Sequence, residues 1–190
     1  NGYTSFSYNL TNYLKTNGAS NIIAVRVKNL GKNSRWYSGS GIYRHVWLTA
    51  VNEVHTELYG NYITTPEVSE SNALLKVETA VQNMSSGNES IEIGVDIISP
   101  SGKVVASKKQ PLTINGESRM TSTQELSISK PALWSLESPQ LYTATVKIIA
   151  GGKIIDETLT TFGIRSLQFD GQKGFMLNGK VVKLKGGCIH

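Results

Sequence analysis

One glycine-punctuated loop carries side chains with the chemistry of ligand binding. It runs from Gly31 to Gly41, and Arg35 lies in it beside Trp36 and Tyr37. A guanidinium group is a fork of several N–H donors, and an aromatic ring is a flat face on which another ring can stack. Sugar hydroxyls and a sugar ring would satisfy both. The alternative is a loop that its own aromatic side chains anchor, and the sequence leaves both interpretations open.

Carboxyl groups are the second set of side chains with possible chemistry. The chain has 14 acidic residues, of which Asp96, Asp156 and Asp170 are the aspartates. Most fall on outward positions of predicted strands or in predicted turns, where a solvated charge is the simpler interpretation. Hydrolysis by a pair of carboxyl groups needs the two to lie close together, about 5 Å apart when one is the nucleophile and the other the proton donor. No such pair can be identified, so we expect no catalytic residue in this chain.

Histidine and cysteine offer little for a metal site. His45 and His55 lie on predicted strands at a spacing that matches no metal motif. The single cysteine, Cys188, excludes an intrachain disulfide and a site with several thiolates. We therefore expect no cofactor or metal in this chain.

Composition favours a folded β-rich protein. Hydrophobic residues make up 39% of the 190 residues and charged residues 17%. The net charge of +5 is mild and its basic residues are scattered, which argues against a nucleic-acid partner. No apolar run approaches the roughly 20 residues that a membrane-spanning helix needs.

Alternating apolar residues predict the strands of a sandwich. A period of two is typical of a half-buried strand, and glycine-rich or asparagine-rich turns separate the alternating runs. Short strands of this kind over residues 58–163 predict an all-β, immunoglobulin-like β-sandwich without the inter-sheet disulfide. The alternating sets are Leu75, Val77, Thr79 and Val81; Ile91, Ile93, Val95 and Ile97; Tyr142, Ala144, Val146 and Ile148; and, less regularly, Ile155, Glu157, Leu159 and Thr161.

The ends of the chain contain further strand patterns. Residues 22–28 and 42–51 read as strands on either side of the glycine-punctuated loop. Near the C terminus, two apolar runs flank Asn178-Gly179, a dipeptide that tolerates the positive φ angles of a two-residue hairpin turn. We therefore predict a β-hairpin around these two residues.

Three sequence blocks follow one another along the chain. The first, residues 34–48, reads SRWYSGSGIYRHVWL; the second, residues 130–142, reads KPALWSLESPQLY; and the third runs from residue 161 to His190. In this order they resemble motifs of glycoside hydrolase family 2, the β-galactosidase group. The first is similar to the run that closes the sugar-binding jelly roll of the family, the second resembles a segment of its immunoglobulin-like middle domain, and the third resembles the entry to its catalytic barrel.

The resemblance implies three domains. Residues 1–57 would be the C-terminal part of a jelly-roll domain, residues 58–163 the immunoglobulin-like sandwich, and residues 164–190 the start of a (β/α)8 catalytic domain. A jelly roll needs roughly eight strands, so residues 1–57 would be a truncated roll. We expect its open strand edges to favour self-association.

The resemblance also implies a function and a set of site residues. It implies an accessory fragment of a retaining hydrolase of terminal β-galactosides, with both catalytic glutamates beyond His190. In the intact enzyme, Arg35, Trp36 and His190 would contact the carbohydrate substrate, and Arg44 would support the loop. Whether the barrel of the intact enzyme binds a divalent or monovalent cation stays an open question. The alternative is a stand-alone, non-catalytic sandwich that binds carbohydrate or protein.

Trp134 has two interpretations. It lies in the second block between Pro131 and Pro139. An exposed indole would be a platform for a sugar ring, whereas a partly buried one would anchor the irregular segment between two prolines. We favour the anchor.

Overall fold

The computed structural model of the protein describes residues 4–31 and 39–188. The chain divides into two compact units, residues 1–48 and residues 49–190. The sequence interpretation draws its first boundary after residue 57, whereas the structure draws it after Leu48. The assignment of residues 164–190 to the start of a barrel stays a prediction.

The strands predicted in the first unit are not formed. Its described residues contain a single 3-10 turn, Thr11–Tyr13, and residues 22–28 and 42–48 have no strand pairing. Alternating apolar residues such as Ile23, Val25 and Val27 are exposed. An apolar face becomes a strand only where a neighbouring strand completes its hydrogen bonds and covers the face, and none does so here. The jelly-roll assignment therefore rests on the sequence resemblance.

The second unit is built from ten strands in three sheets. The strands are β1 (Val54–Val68), β2 (Asn72–Asn83), β3 (Glu89–Ile98), β4 (Val104–Ile114), β5 (Ser118–Ser129), β6 (Tyr142–Ala150), β7 (Lys153–Phe162), β8 (Leu167–Asp170), β9 (Gly174–Leu177) and β10 (Lys180–Val181). All of their pairings are antiparallel.

The first seven strands form the sandwich that the sequence predicts. A three-stranded sheet has the order β1-β2-β5, and a four-stranded sheet has the order β4-β3-β6-β7. The chain crosses between sheets after β2, β4 and β5, as in the immunoglobulin fold. The predicted fold class, an all-β immunoglobulin-like sandwich, is confirmed.

The core lies between the inner faces of the two sheets. The predicted alternation is confirmed, because the odd-numbered residues predicted to face inward in β2 and β3 are buried and so are the even-numbered ones in β6. The core residues are Val54, Ala73, Leu75, Val77, Val81, Ile91, Ile93, Val95, Ile97, Ile114, Leu126, Ile128, Tyr142, Ala144, Val146, Ile148 and Ile164.

Strand β7 departs from the predicted pattern. Ile149 pairs with Ile154 and Ile148 with Asp156, so Ile155 is an extra residue between them. A bulge of this kind shifts every later side chain to the opposite face. Leu159, predicted among the inward set, is consequently 66% exposed.

A buried tyrosine at the start of β6 fastens the crossover that precedes it. Tyr142 is 3% exposed, and its hydroxyl oxygen accepts a hydrogen bond of 2.8 Å from the backbone N–H of Ala132. The bond ties the crossover between β5 and β6 to the core, as the tyrosine corner of this fold does. Cys188 is a free, exposed thiol.

Strands β8, β9 and β10 form the third sheet, in the order β10-β9-β8. The predicted hairpin is confirmed, because Asn178 and Gly179 join β9 to β10 with φ angles of 49° and 74°. Within residues 4–31 and 39–188, no helix has the length and hydropathy to cross a membrane.

Candidate functional site

Two of the three sequence blocks meet around Trp134. Its backbone N–H donates a 2.9 Å hydrogen bond to the carbonyl oxygen of Ile164. The guanidinium carbon of Arg165 lies 4.7 Å from the centroid of the half-buried indole ring, within cation–π range. The crossover before β6 is thereby fixed to the segment that leads from β7 into β8.

Asn178 fastens the hairpin turn to the same place. Its side-chain amide donates to the carbonyl oxygen of Trp134 and accepts from the backbone N–H of Ser166, both at 2.9 Å. Its backbone N–H also donates to the carbonyl oxygen of Ser166 at 2.9 Å. One turn residue therefore joins the crossover, the start of β8 and the β9–β10 hairpin.

Gly163 permits the close contact on which this arrangement depends. A Cβ atom at position 163 would lie 3.0 Å from each of three Trp134 side-chain atoms, Cβ, Cγ and Cδ1. A side chain at position 163 would therefore require the indole to shift by a few tenths of an ångström. We call the set Trp134, Gly163, Arg165, Ser166 and Asn178 the Trp134 junction.

The junction is a positioning site and has no reactive group. Its members are an indole, a glycine, a guanidinium, a hydroxyl and an amide, and none of them is a nucleophile with an adjacent base. The favoured interpretation of Trp134 as an anchor agrees with these contacts. The Asn-Gly signal predicted the turn from sequence, but nothing local indicated that the Asn178 side chain reaches Trp134, 44 residues away.

All 14 acidic residues lie in the described part of the chain, and several of their carboxyls make ion pairs or turn hydrogen bonds. Asp96 accepts from the Ser107 hydroxyl at 2.6 Å and from the Lys147 ammonium at 2.9 Å. These two contacts, the Ser107 hydrogen bond first, lower the pKa of Asp96. Backbone N–H groups of Lys173 and Gln172 lower the pKa of Asp170 in the same way.

These shifts are opposite to what acid catalysis needs. A general acid in a glycosidase has a raised carboxyl pKa, which keeps its proton at working pH. The family resemblance associates an Asn-Glu dipeptide with the acid/base. The expectation that no acidic residue of this chain follows an asparagine is wrong, because the dipeptide occurs twice, at Asn52-Glu53 and Asn88-Glu89. Glu53 precedes β1 and Glu89 opens β3. Both glutamates therefore stand at strand entrances of the sandwich, whereas barrel catalysts gather at strand C-terminal ends.

The histidines have separate surroundings. The Nδ1 atom of His55 lies 2.8 Å from the carbonyl oxygen of Asn52, and the His45 ring lies 5.5 Å from the Trp47 ring. Over residues 4–31 and 39–188, no group of three or more His, Cys, Asp or Glu side chains could hold a metal ion.

The residues predicted to bind substrate, Arg35, Trp36 and His190, all lie outside the described residues. Their roles stay predictions. In the first unit, the Arg44 guanidinium lies 5.6 Å from the centroid of the Tyr43 ring, and Arg44 has a φ angle of 71°.

Two shallow depressions mark the surface of the second unit. One, of about 260 Å³, is lined by Ala50, Val51, Asn52, Ile155 and Asp156. The other, of about 480 Å³, lies at the sandwich end near Lys103, Lys130 and Tyr142. Neither lining contains two carboxyl groups, so neither provides the pair that glycoside hydrolysis requires.

Comparison with known proteins gives the chain a family. The family model for glycosyl hydrolases family 2 matches residues 56–165, a range that covers the seven sandwich strands except the first two residues of β1. The chain belongs to glycosyl hydrolase family 2.

Individual family 2 proteins match over most or all of the chain. The beta-galactosidase BoGH2A of Bacteroides ovatus is 40% identical over 190 residues, which is 100% of this chain and 22% of that protein. A beta-glucuronidase of Formosa agariphila is 31% identical over 97% of this chain and 21% of its own length. A crystal structure of a family 2 member from Bacteroides cellulosilyticus DSM 14838 superposes with a TM-score of 0.81 at 38% identity, over 86% of this chain and 23% of that one.

These relatives are much longer than the present chain. The chain spans about a fifth of the length of each curated relative named above. The three sequence blocks that resemble family 2 therefore correspond to a domain-sized part of a glycoside hydrolase architecture.

Proposed function

We propose that this chain is an accessory part of a retaining glycoside hydrolase that acts on terminal β-galactosides. The observation that carries the proposal is the 40% identity to a beta-galactosidase over all 190 residues. The carboxyl groups of the chain support it as well, because the two with shifted pKa values, Asp96 and Asp170, are shifted downward. The catalytic pair would then belong to a part of the enzyme outside this chain.

In such an enzyme, the sandwich would orient the part of the protein that follows it along the chain. The Trp134 junction fixes the start of β8 and the β9–β10 hairpin to the crossover before β6. A hairpin held by several hydrogen bonds transmits the orientation of the sandwich to the residues that follow. Positioning of this kind matters for catalysis, because reacting groups must be held within fractions of an ångström.

We also propose that Arg35, Trp36 and His190 contact the sugar in the intact enzyme. The support is the sequence pattern of an arginine beside two aromatic residues in a glycine-punctuated loop. Arginine N–H groups would donate to sugar hydroxyls, and an indole would stack on the ring.

The experiment compares this chain with the product of the longest reading frame that contains it. Both proteins are assayed on an aryl β-galactoside and on the matching aryl β-glucuronide, and the anomeric form of the first product is read by NMR. We expect the longer protein to hydrolyse the galactoside with retention and the 190-residue chain to be inactive. Preference for the glucuronide would reject the galactoside assignment.

The same pair of proteins tests the non-catalytic alternative. A reading frame that ends near residue 190, together with binding of galacto-oligosaccharides by the chain alone, would reject an enzyme role. Turnover by the chain alone, lost when one Asp or Glu is replaced by its amide, would show that a catalytic carboxyl lies inside it.

A further inference from the structure

A row of polar side chains crosses the inner face of the three-stranded sheet. Asn61 of β1 lies opposite Thr79 of β2, and Thr79 lies opposite Ser122 of β5. Gln124 is the next inward residue of β5, and Thr56 is the inward residue of β1 on the other side of a bulge. Alternate residues of a strand share a face, so these side chains lie among the core residues. We call the five together the polar stripe.

Four residues of the polar stripe are buried, the fifth, Asn61, is half-buried, and all five are incompletely paired. Thr79 and Gln124 are each 1% exposed, Ser122 3% and Thr56 6%. Each of the five residues has a buried side-chain oxygen without a hydrogen-bond partner in the protein. Within the described part of the chain, no other buried side-chain nitrogen or oxygen is in this condition. Buried polar atoms are almost always paired, so five exceptions close together on one face of the sheet indicate a further partner.

The existing hydrogen bonds show why the protein itself does not supply that partner. The Asn61 amide nitrogen donates to the Thr158 hydroxyl at 2.7 Å, and the Gln124 amide nitrogen donates to the Ile93 carbonyl at 3.1 Å. Both bonds reach from the three-stranded sheet to the four-stranded sheet. Turning either amide over would exchange its oxygen for its nitrogen, and one polar atom would still lack a partner.

The spacing of the stripe suits water. Directly opposed side chains on neighbouring strands have Cβ atoms about 4.5–5.5 Å apart, so a water molecule between two of them can reach both at about 2.8 Å. Three hydroxyls and two amide oxygens provide the mixture of donors and acceptors that a buried water uses. Two strand spacings of about 4.8 Å separate Asn61 from Ser122, a distance too long for a single water.

We propose that the polar stripe binds a row of internal water molecules between the two sheets. At its Asn61 end the stripe meets a bulge in the edge strand β1, where Glu57, Leu58, Tyr59 and Gly60 lie opposite the single residue Ala80. A bulge interrupts the hydrogen-bond ladder there.

Oxygen-17 magnetic relaxation dispersion of the full chain tests the proposal, since it counts water molecules that stay bound longer than the protein tumbles. The unaltered chain should show long-lived internal waters, and Thr79→Val and Ser122→Ala should each lose at least one. Thr145→Val is the matched control, because Thr145 is also buried but lies on the outer face of β6. An unchanged water count in both stripe variants would overturn the proposal.

A crystal structure of the unaltered chain, at a resolution that reveals ordered water, tests it without any substitution. Water within about 3.2 Å of the stripe oxygens would support the proposal. Stripe hydroxyls paired directly with one another would overturn it. A bound atom with several oxygens at about 2.4 Å would also overturn it, because such distances indicate a cation.

Discussion

Replacing Asn178 by alanine should detach the hairpin turn from the Trp134 junction. The Asn178 side chain makes two hydrogen bonds of 2.9 Å, one to the Trp134 carbonyl and one from the Ser166 N–H. Each is worth about 0.5–1.5 kcal/mol net. Asn178 also has a φ angle of 49°, which asparagine tolerates better than alanine by about 1 kcal/mol. We expect a total loss of about 2–4 kcal/mol in the free energy of opening this region.

Two further variants separate the hydrogen bonds from the backbone strain. Asn178→Gly keeps the positive φ angle and removes both side-chain bonds, so it should lose about 1–3 kcal/mol. Asn178→Asp keeps the acceptor for the Ser166 N–H but turns an oxygen toward the Trp134 carbonyl in place of a donor. The unaltered chain should therefore be the most stable, followed by Asn178→Gly and then by Asn178→Ala.

Hydrogen exchange at the amides of Ser166 and Trp134 is the assay. These two N–H groups donate within the junction, to the Asn178 side chain and to the Ile164 carbonyl. A loss of 2–4 kcal/mol should speed their exchange by roughly 30- to 1,000-fold in Asn178→Ala, if exchange follows local opening. Exchange rates equal to those of the unaltered chain would refute the conclusion that Asn178 holds the junction together.

Two further outcomes follow from the structure and two from the sequence. Gly163→Ala should lower the urea midpoint by a loss of about 1–3 kcal/mol, because the new Cβ would press on the Trp134 indole, whereas Gly171→Ala, which meets nothing within 4 Å, should leave it unchanged. The pKa of Asp96 is lowered in the folded chain. Its ionised carboxylate therefore contributes to stability above its unfolded pKa of about 4, and this contribution is lost as the pH falls through the lower folded pKa. The Asp96→Asn variant should accordingly lose less stability between pH 7 and pH 3 than the unaltered chain. The 190-residue chain should show no turnover of an aryl β-galactoside above the background of a mock purification. In the longer enzyme, Arg35→Ala should lower kcat/KM roughly ten- to a hundred-fold, because a hydrogen bond from a charged group is worth about 1.5–3 kcal/mol. An unchanged kcat/KM would show that the loop has only a structural role.

Local patterns in the sequence predicted the centre of the sandwich. In β2, β3 and β6 most inward positions are apolar, with Thr79 and Asn83 as the buried polar exceptions in β2, so a period of two is visible without any knowledge of neighbours. The Asn-Gly turn was equally predictable, because its positive φ angles restrict the residue types at those positions. Strand β5 was not predicted. Its inward positions include Ser122 and Gln124, which hide the apolar alternation.

Tertiary structure decided the rest of what matters for function. The bulge at Ile155 reversed the face of Leu159, because pairing with β6 and not the local sequence set the register. The apolar runs over residues 22–28 formed no strand, since a strand requires a partner edge as well as a pattern. Arg35, Trp36 and His190 lie outside the described residues, so the predicted substrate contacts stay predictions.

The sequence by itself determined the family, the sandwich and the hairpin, because each depends on residues that are close together along the chain. The Trp134 junction and the polar stripe were decided only in three dimensions. Their hydrogen bonds join residues far apart, from Asn178 to Trp134 and from Asn61 to Thr158, 97 positions on. A hydrogen bond of this kind leaves no periodic trace, because each partner satisfies its own strand or turn pattern whether or not the other is present.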